Sequence, residues 1–553
     1  MARGTNHLGI SRRALLRRLA VASTPLAAAR LSSVVGGFPT ARAVAAQSSA
    51  AATSLTLATN RTPSDLDPHS AYDAGSGVVL QGPFEGLIRV RPGTIDAYVP
   101  QLATAWEANA DHSVWTFHLR EGVGFQDGTE FDAAAARASF DRLLALGLAP
   151  ASVLGRFFTD VGQIATPDSR TLVFDLGRPQ PLFEAAIAAP YGTAIVNAAA
   201  LRRHDAGGDW GHGWAQTNSD GLGTGPYRVA SFDGAQGATL ERFDGYWGGW
   251  SGRHFDRIAI RVVTEPDTRR ELIERGDADI VQTLPLATIA ALTHNPDLVV
   301  DHRYNLAVWY IAMTVGGTLR SPQARQALCW AFPYDDAIAG VYDGFAKRAV
   351  GPVAELCRGF ASDTFVYRTD LDRARSLLRQ AGVADGTTLT LMLPPGNADV
   401  QAVAELFQAN LTRIGLPLAI QQVDFPTYVS IFTGDQPAAE RPNLLPSFWQ
   451  PDYDDGWSQL WPQVSCGAWR IGNGGHYCNQ QVETLLAQAK DAADDKTYLT
   501  SLARIQDIVT RDDPAAVYFA QPEWVTVLRR DVGGFAPNLI VGEIIDFYAL
   551  RRS

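Results

Sequence analysis

Catalytic signatures are the first thing this 553-residue chain lacks. None of H-E-x-x-H, G-x-S-x-G, G-x-x-x-x-G-K-[ST] or G-x-G-x-x-G occurs, and each of those spacings encodes a definite geometry for a metal, a nucleophile or a phosphate. The run G-L-G-T-G-P (221–226) misses the dinucleotide pattern because Pro226 stands in place of its third glycine; it reads as a turn entering the strand Y-R-V-A-S-F. Ten histidines are scattered without ligand spacing, and His204 and His212, in a loop rich in Gly, Asp and Trp, read as surface residues. Because a Ser-His-Asp triad is assembled in space, an enzyme is not excluded, but it has no positive support. Lysine is nearly missing too: 44 of 47 basic residues are arginine, a bias that carries no functional reading.

Acid is missing from the start of the chain. The first acidic residue is Asp65, preceded by Arg3, Arg12, Arg13, Arg17, Arg18, Arg30 and Arg42 and by the small, apolar run L-A-V-A-S-T-P-L-A-A-A from Leu19. That layout predicts an export signal over 1–46. The Arg12-Arg13 pair resembles a twin-arginine signal, which carries folded proteins across a membrane, with cleavage expected before Val44 or Gln47. No later stretch approaches the roughly 20 apolar residues of a membrane-spanning helix. A soluble, periplasmic or otherwise extracytoplasmic protein is therefore expected. Removing 1–46 takes away seven arginines and no acid, leaving 40 basic and 58 acidic side chains and a formal charge of −18. Such a surface disfavours nucleic acid or an anionic membrane as partner.

Cysteine is sparse, and no C-x-x-C occurs among Cys329, Cys357, Cys466 and Cys478. In an exported chain these predict disulfides rather than a zinc or redox site. Cys466 with Cys478 closes a short loop through G-A-W-R-I-G-N-G-G-H-Y, worth about 3 kcal/mol by the chain-entropy argument; Cys329 with Cys357 is the weaker pairing. The leader's end holds no cysteine for a lipid anchor.

At this length the chain should form two to four domains. In V-W-T-F-H-L (114–119) alternate residues Trp115, Phe117 and Leu119 share one face of a strand, and Asp132 then caps an alanine-rich helix ending near Leu144. T-L-V-F-D-L (171–176) alternates likewise, so this first third reads as β-rich. From Asp370 to Phe425 the order is helix, strand, helix, strand, with Gly382 and Gly415 as helix stops, implying a sheet flanked by helices. A further helix, Y-L-T-S-L-A-R-I-Q-D-I-V-T-R-D (498–512), precedes the apolar A-A-V-Y-F. The fold class is mixed α/β.

One stretch concentrates chemistry: F-W-Q-P-D-Y-D-D-G-W (448–457) sets Asp452, Asp454 and Asp455 among Phe448, Trp449 and Trp457. Three nearby carboxylates could bind a hard cation, act as an acid/base pair in a secreted enzyme, or line a pocket.

Several segments in order resemble one family: L-D-P-H (66–69), P-F-E-G-L-I (83–88), V-P-Q-L-A-T-A-W-E (99–107), W-T-F-H-L-R-E-G-V-G-F-Q-D-G-T (115–129), G-T-G-P-Y-R-V (223–229), Y-W-G-G (246–249) and R-G-D-A-D-I (275–280). With S-P-Q-A-R-Q-A-L-C-W-A-F from Ser321 and Y-C-N-Q-Q-V-E-T-L-L from Tyr477, the chain from 54 to 553 looks like the family 5 extracellular solute-binding proteins of ABC importers, the peptide and nickel type.

The resemblance implies a bilobal, periplasmic-binding-protein-like clamp. Lobe one would hold 54–91, 200–303 and 525–553, with an additional β-rich domain at 92–199; lobe two would be the α/β region 307–521, and hinge strands would lie near 304–313 and 521–527. It implies a monomer that captures a small ligand between the lobes and meets the membrane only through the importer's permease subunits. It implies no catalytic residue, metal or cofactor. The family's W-x-x-D-Y motif falls on Trp449, Asp452 and Tyr453, making Asp452 the acceptor of a peptide's α-ammonium. Tyr72, Asp73 and Ala74 match the stretch that pairs with the ligand backbone from lobe one. Phe448, Trp449 and Gln450 would pair from lobe two, with Phe425 and Trp449 as walls. Some relatives carry an arginine three residues before the motif's tryptophan to receive a short peptide's carboxylate; here that position is Pro446, so peptide length stays unconstrained. A peptide is the favoured ligand. An oligosaccharide, which Trp457, Trp461 and Trp469 would suit, an opine and a metal chelate stay open, because a scaffold does not fix its ligand.

Overall fold

The computed structural model describes residues 53–492 and 494–553; the expected export signal lies outside them. Among the described residues no helix is long and apolar enough to cross a membrane.

Twelve strands form one continuous sheet because a single long strand belongs to two halves of it. In the first half, Ser54–Thr59 lies parallel to Arg257–Val262 on one side and to Ile280–Gln282 on the other. Tyr227–Asp233 and Gly237–Arg242 extend this half as an antiparallel hairpin. In the second half, Val308–Met313 runs antiparallel to Leu444–Trp449, and Leu389–Leu393 lies parallel to Leu418–Gln422. The shared strand is Ala516–Arg529. Its first residues pair with Val308–Met313 and its last with Leu298–Tyr304 and Ile280–Gln282. Since Tyr304 is paired with Glu523 and Trp309 with Ala520, the chain passes between the two halves of this sheet twice, side by side. Two adjacent extended segments form a bendable connection between rigid bodies.

A separate antiparallel sheet joins Ala103–Ala108, Val114–Leu119, Thr171–Asp175 and Ile164–Asp168. Trp115, Phe117 and Leu119 are buried on one face, as the alternation requires. That face meets Phe140, Phe158, Phe174 and Phe183 in edge-on and tilted pairs 5.0–6.4 Å apart. The covering helix, Ala133–Leu146, is capped by the Asp132 carboxylate on the Ala135 amide and ends at Gly147 in the left-handed conformation.

The α/β alternation is present as Leu371–Gln380, Leu389–Leu393, Ala398–Arg413 and Leu418–Gln422, with Gly382 and Gly415 both at positive φ just past their helices. In G-L-G-T-G-P a side chain has no room: a Cβ on Gly223 would lie 1.8 Å from the Pro83 carbonyl oxygen, and one on Gly225 2.4 Å from that of Gly82. This run is a backbone contact with P-F-E-G-L, not a phosphate cradle.

Cys466 and Cys478 are bonded, with Cα atoms 4.5 Å apart. The weaker expected pairing is corrected: Cys329 and Cys357 are free and buried. They belong to different hydrophobic cores, Cys329 on the helix Pro322–Ala331 near the Ala516 carbonyl and Cys357 beside Asp454. Burial pushes both thiols up, which makes them inert.

Candidate functional site between the lobes

L-D-P-H is a structural anchor. Asp67 and Arg142 are fully buried and joined by two hydrogen bonds of 2.9 and 2.6 Å. Burial would raise the Asp67 pKa, but the Arg142 bonds hold it below the usual range. Burial, and then Arg142, pushes His69 down to about 4, so the imidazole is neutral and bonds the Ala194 carbonyl. His212 joins them, its Nδ1 3.0 Å from Asp67, which corrects the surface reading of that residue; His204 is exposed and stacks on Trp214. This network ties the Tyr72 segment to the helix Ala133–Leu146.

Tyr72 and Asp73 lead into a short helix, Ala74–Leu80. The Asp73 carboxylate caps it at the Ser76 amide and accepts from Ser64. Tyr72 packs edge-on against Tyr191 with ring centres 5.3 Å apart, and its hydroxyl donates to Asp452 Oδ1 at 2.7 Å. That bond joins residues 380 apart in sequence.

On the opposite lobe, Asp452 lies in the turn between the strand Leu444–Trp449 and the helix Gly456–Val464. It is partly buried, and its Oδ2 has no hydrogen-bond partner among the described residues. Burial pushes its carboxyl up to about 6, the Tyr72 bond opposing. Leu444–Trp449 meets its parallel neighbour only at Leu444, which leaves this edge without a partner strand from Leu445 on. Pro446 turns its carbonyl to that edge, where Tyr428 bonds it. Phe448, two residues on, presents its N–H and C=O on the same side. Trp449 rests on Gly472, and its buried indole N–H has no partner among the described residues. Gln450 is partly buried; Tyr453 is buried, its ring 6.2 Å from that of Phe157.

The three acids of the stretch separate. Asp452 faces Tyr72. Asp454 accepts the Arg358 amide at 2.7 Å. Asp455, fully buried, caps Gly456–Val464 at the Trp457 and Ser458 amides, accepts the Tyr498 hydroxyl, and pairs with Arg156 at 2.8 Å. The Arg156 guanidinium also lies 4.6 Å from the Trp457 ring. No group of three His, Cys, Asp or Glu side chains gathers as metal ligands among the described residues. Trp457 stacks on Trp461 and donates to the Leu486 carbonyl, so it is packing for Arg156 rather than a sugar platform. Phe425 stands 64% exposed on the helix stripe of Tyr428 and Phe432, one turn short of Tyr428; it is not packed against the Tyr72–Asp452 pair.

Sequence reasoning missed Arg156, Tyr191 and the capping role of Asp455. Only the last had a local signal: an aspartate directly before an apolar, helix-forming run.

Two lobes joined by paired crossing segments, with a partly buried acid and an open strand edge between them, define a bilobal binding-protein clamp. The chain belongs to the bacterial extracellular solute-binding proteins, family 5, whose middle region it matches over residues 97–470. This is a family of substrate-binding proteins rather than enzymes; its members bind small ligands and work with ABC importer permeases. The chain is 26% identical over 503 residues to a probable D,D-dipeptide-binding periplasmic protein of Escherichia coli K12, covering 89% of this chain and 92% of that one. It superposes on the Helicobacter pylori periplasmic binding protein DppA, in complex with the peptide STSA, with a TM-score of 0.78 at 23% identity, covering 91% and 98% of the two chains. The A. tumefaciens R10 binding protein MoaA, in complex with mannopinic acid, gives 0.80 at 20% identity, covering 91% and 100%.

Proposed function

We propose that this protein captures peptides with a free amino end between its lobes, outside the cytoplasm, and delivers them to the permease of an ABC importer. The observation that carries the reading is Asp452: a carboxylate in a partly buried site whose side chain is bonded, among the described residues, to Tyr72 alone, with its second oxygen left over and its pKa raised to about 6 by burial. A ligand ammonium supplies the missing partner and the missing charge, and a bond between two charged groups is about twice as strong as a neutral one. Phe448 offers its backbone N–H and C=O to an added strand, so a peptide binds by its main chain whatever its side chains. Tyr72 to Ala74 face it from lobe one, Gln450 and Tyr453 flank Asp452, Trp449 is a wall, and Phe425 a rim.

The reading also takes the arginine-rich start as a twin-arginine export signal and the chain as a monomer. It is supported by the E. coli relative, a probable D,D-dipeptide-binding periplasmic protein. A non-peptide ligand such as the mannopinic acid held by MoaA would give Asp452 a different partner.

Titration calorimetry of Asp452→Asn with free and N-acetylated peptides tests it. Free peptides should lose about 10- to 100-fold in affinity, the value of one charge-assisted bond, and acetylated ones should bind the parent and the variant alike. Equal affinity of the parent for free and acetylated peptides would sink the assignment.

A further inference from the structure

Lobe one carries a charged pair that neither the capping network nor the Tyr72–Asp452 bond uses. Arg61 stands two residues beyond the strand Ser54–Thr59, at the carboxyl end of the parallel part of the sheet, where open α/β sheets hold ligands. Its loop lies against the Tyr72–Ala74 turn: Ser64 donates to Asp73, and a Cβ on Gly75 would lie 2.5 Å from the Thr62 carbonyl.

The Arg61 guanidinium meets Glu543 at 3.0 Å; the Arg61 side chain is 31% exposed and that of Glu543 fully buried. The contact lies off the hydrogen-bonding direction, and neither Glu543 oxygen accepts a hydrogen bond among the described residues. Arg61 Nε is likewise buried without an acceptor, and so is Nε1 of Trp524, whose ring lies 5.9 Å from the guanidinium. Glu543 is fixed in place: its carbonyl accepts Gln282 from the sheet, and neighbouring Gly542 leaves room for Trp524, where a Cβ would lie 2.5 Å from the ring. Trp524 sits on the strand that crosses between the lobes, one residue from the Glu523–Tyr304 pairing. Burying donors without acceptors is costly, and here the Arg61 Nε–H and the Trp524 indole N–H both lack an acceptor among the described residues, with Arg61 the exposed member of the pair. Tyr191 leads from this place toward Asp452: its hydroxyl donates to the Asp73 carbonyl at 3.3 Å and its ring packs on Tyr72, whose hydroxyl donates to Asp452.

We propose that Arg61 is a carboxylate-reading residue of the ligand site, held in place by buried Glu543, so that the cleft takes a short peptide by both ends: ammonium on Asp452, carboxylate on Arg61 and the Trp524 N–H. A planar guanidinium fork matches a carboxylate. This rests on the peptide reading above, and it supplies the anion partner that the proline at position 446 cannot.

The test is calorimetry of the full mature chain with a defined set of di- and tripeptides, each as free acid, C-terminal amide and N-acetyl form. In the parent the acid should bind at least about tenfold more tightly than the amide, the value of one charge-assisted pair. Arg61→Gln should bring acid and amide to within about twofold while leaving the N-acetyl penalty intact, and Arg61→Lys, which keeps the charge without the fork, should retain part of the preference. An acid-to-amide ratio near one in the parent, or unchanged in Arg61→Gln, overturns the role of Arg61 and leaves that of Asp452 standing. If no member of the set binds, the peptide reading falls and the Arg61 assignment with it.

Discussion

At pH 7 the Asp452 carboxylate is ionised in a place that favours its neutral form. Its folded pKa, raised to about 6 by burial, stands above the ordinary value near 3.8, so the group opposes folding above about pH 6, and that opposition fades as pH falls toward the unfolded value. Binding has the opposite slope, because an ammonium needs the ionised form. Affinity for a free-amino peptide should therefore be level above about pH 7 and fall toward tenfold per unit well below pH 6, the limit for one required ionisation. In Asp452→Asn this slope should vanish, and the ligand-free melting temperature at pH 7.5 should not drop. Calorimetry and thermal melts between pH 5 and 8 read both, and a pH-independent affinity in the parent would remove Asp452 from the binding step. Asp452 was legible in the sequence through the W-x-x-D-Y spacing. Its partner Tyr72 was singled out in the sequence through the family resemblance but not as a bond to Asp452, since nothing local relates residues 380 apart. Arg61 and Glu543 were not legible at all, because an arginine in a loop and a glutamate near the C terminus become a site only when the sheet brings them together.

Among the elements, the helix Gly456–Val464 shows how one acid can hold two structures. Asp455 caps it and, through Arg156, fastens the 92–199 region to it. With Asp455 fully buried and the Arg156 side chain 5% exposed, removing the arginine leaves a charge without a partner. Arg156→Met should cost about 3–5 kcal/mol, as breaking one side of a buried pair does. Adding Asp455→Asn keeps a capping oxygen and removes the stranded charge, so the double variant should regain most of the loss. Urea unfolding of the parent, both single variants and the double checks this, and additive costs would show that the pair is not coupled. The strands, helices and stops were readable from alternation, caps and glycines, because those signals lie within a few residues of each other. The failed Cys329–Cys357 pairing shows the limit: no local signal tells that these two thiols lie in separate cores.

For the whole molecule, the order of the segments says how ligand and closure are linked. The two halves meet through two adjacent crossing segments and through the Arg156–Asp455 pair, while among the ligand-facing candidates Tyr72 donates to Asp452. A ligand shifts the balance between open and closed forms only by contacts it gains in the closed one. One such contact is built into the protein itself, since the tyrosine hydroxyl can reach Asp452 only when the lobes approach. Tyr72→Phe removes it while leaving the ammonium acceptor and the packing on Tyr191 in place. A single neutral-to-charged hydrogen bond is worth about 1.5–3 kcal/mol, enough to change which form dominates without ligand. The variant should therefore show a larger radius of gyration than the parent in ligand-free solution scattering, and the two should converge at saturating peptide. Its affinity should fall because more of the binding energy goes into closing the clamp. Identical ligand-free radii, with affinity unchanged, would mean that the lobes are held together by other contacts and that Tyr72 serves only to orient Asp452.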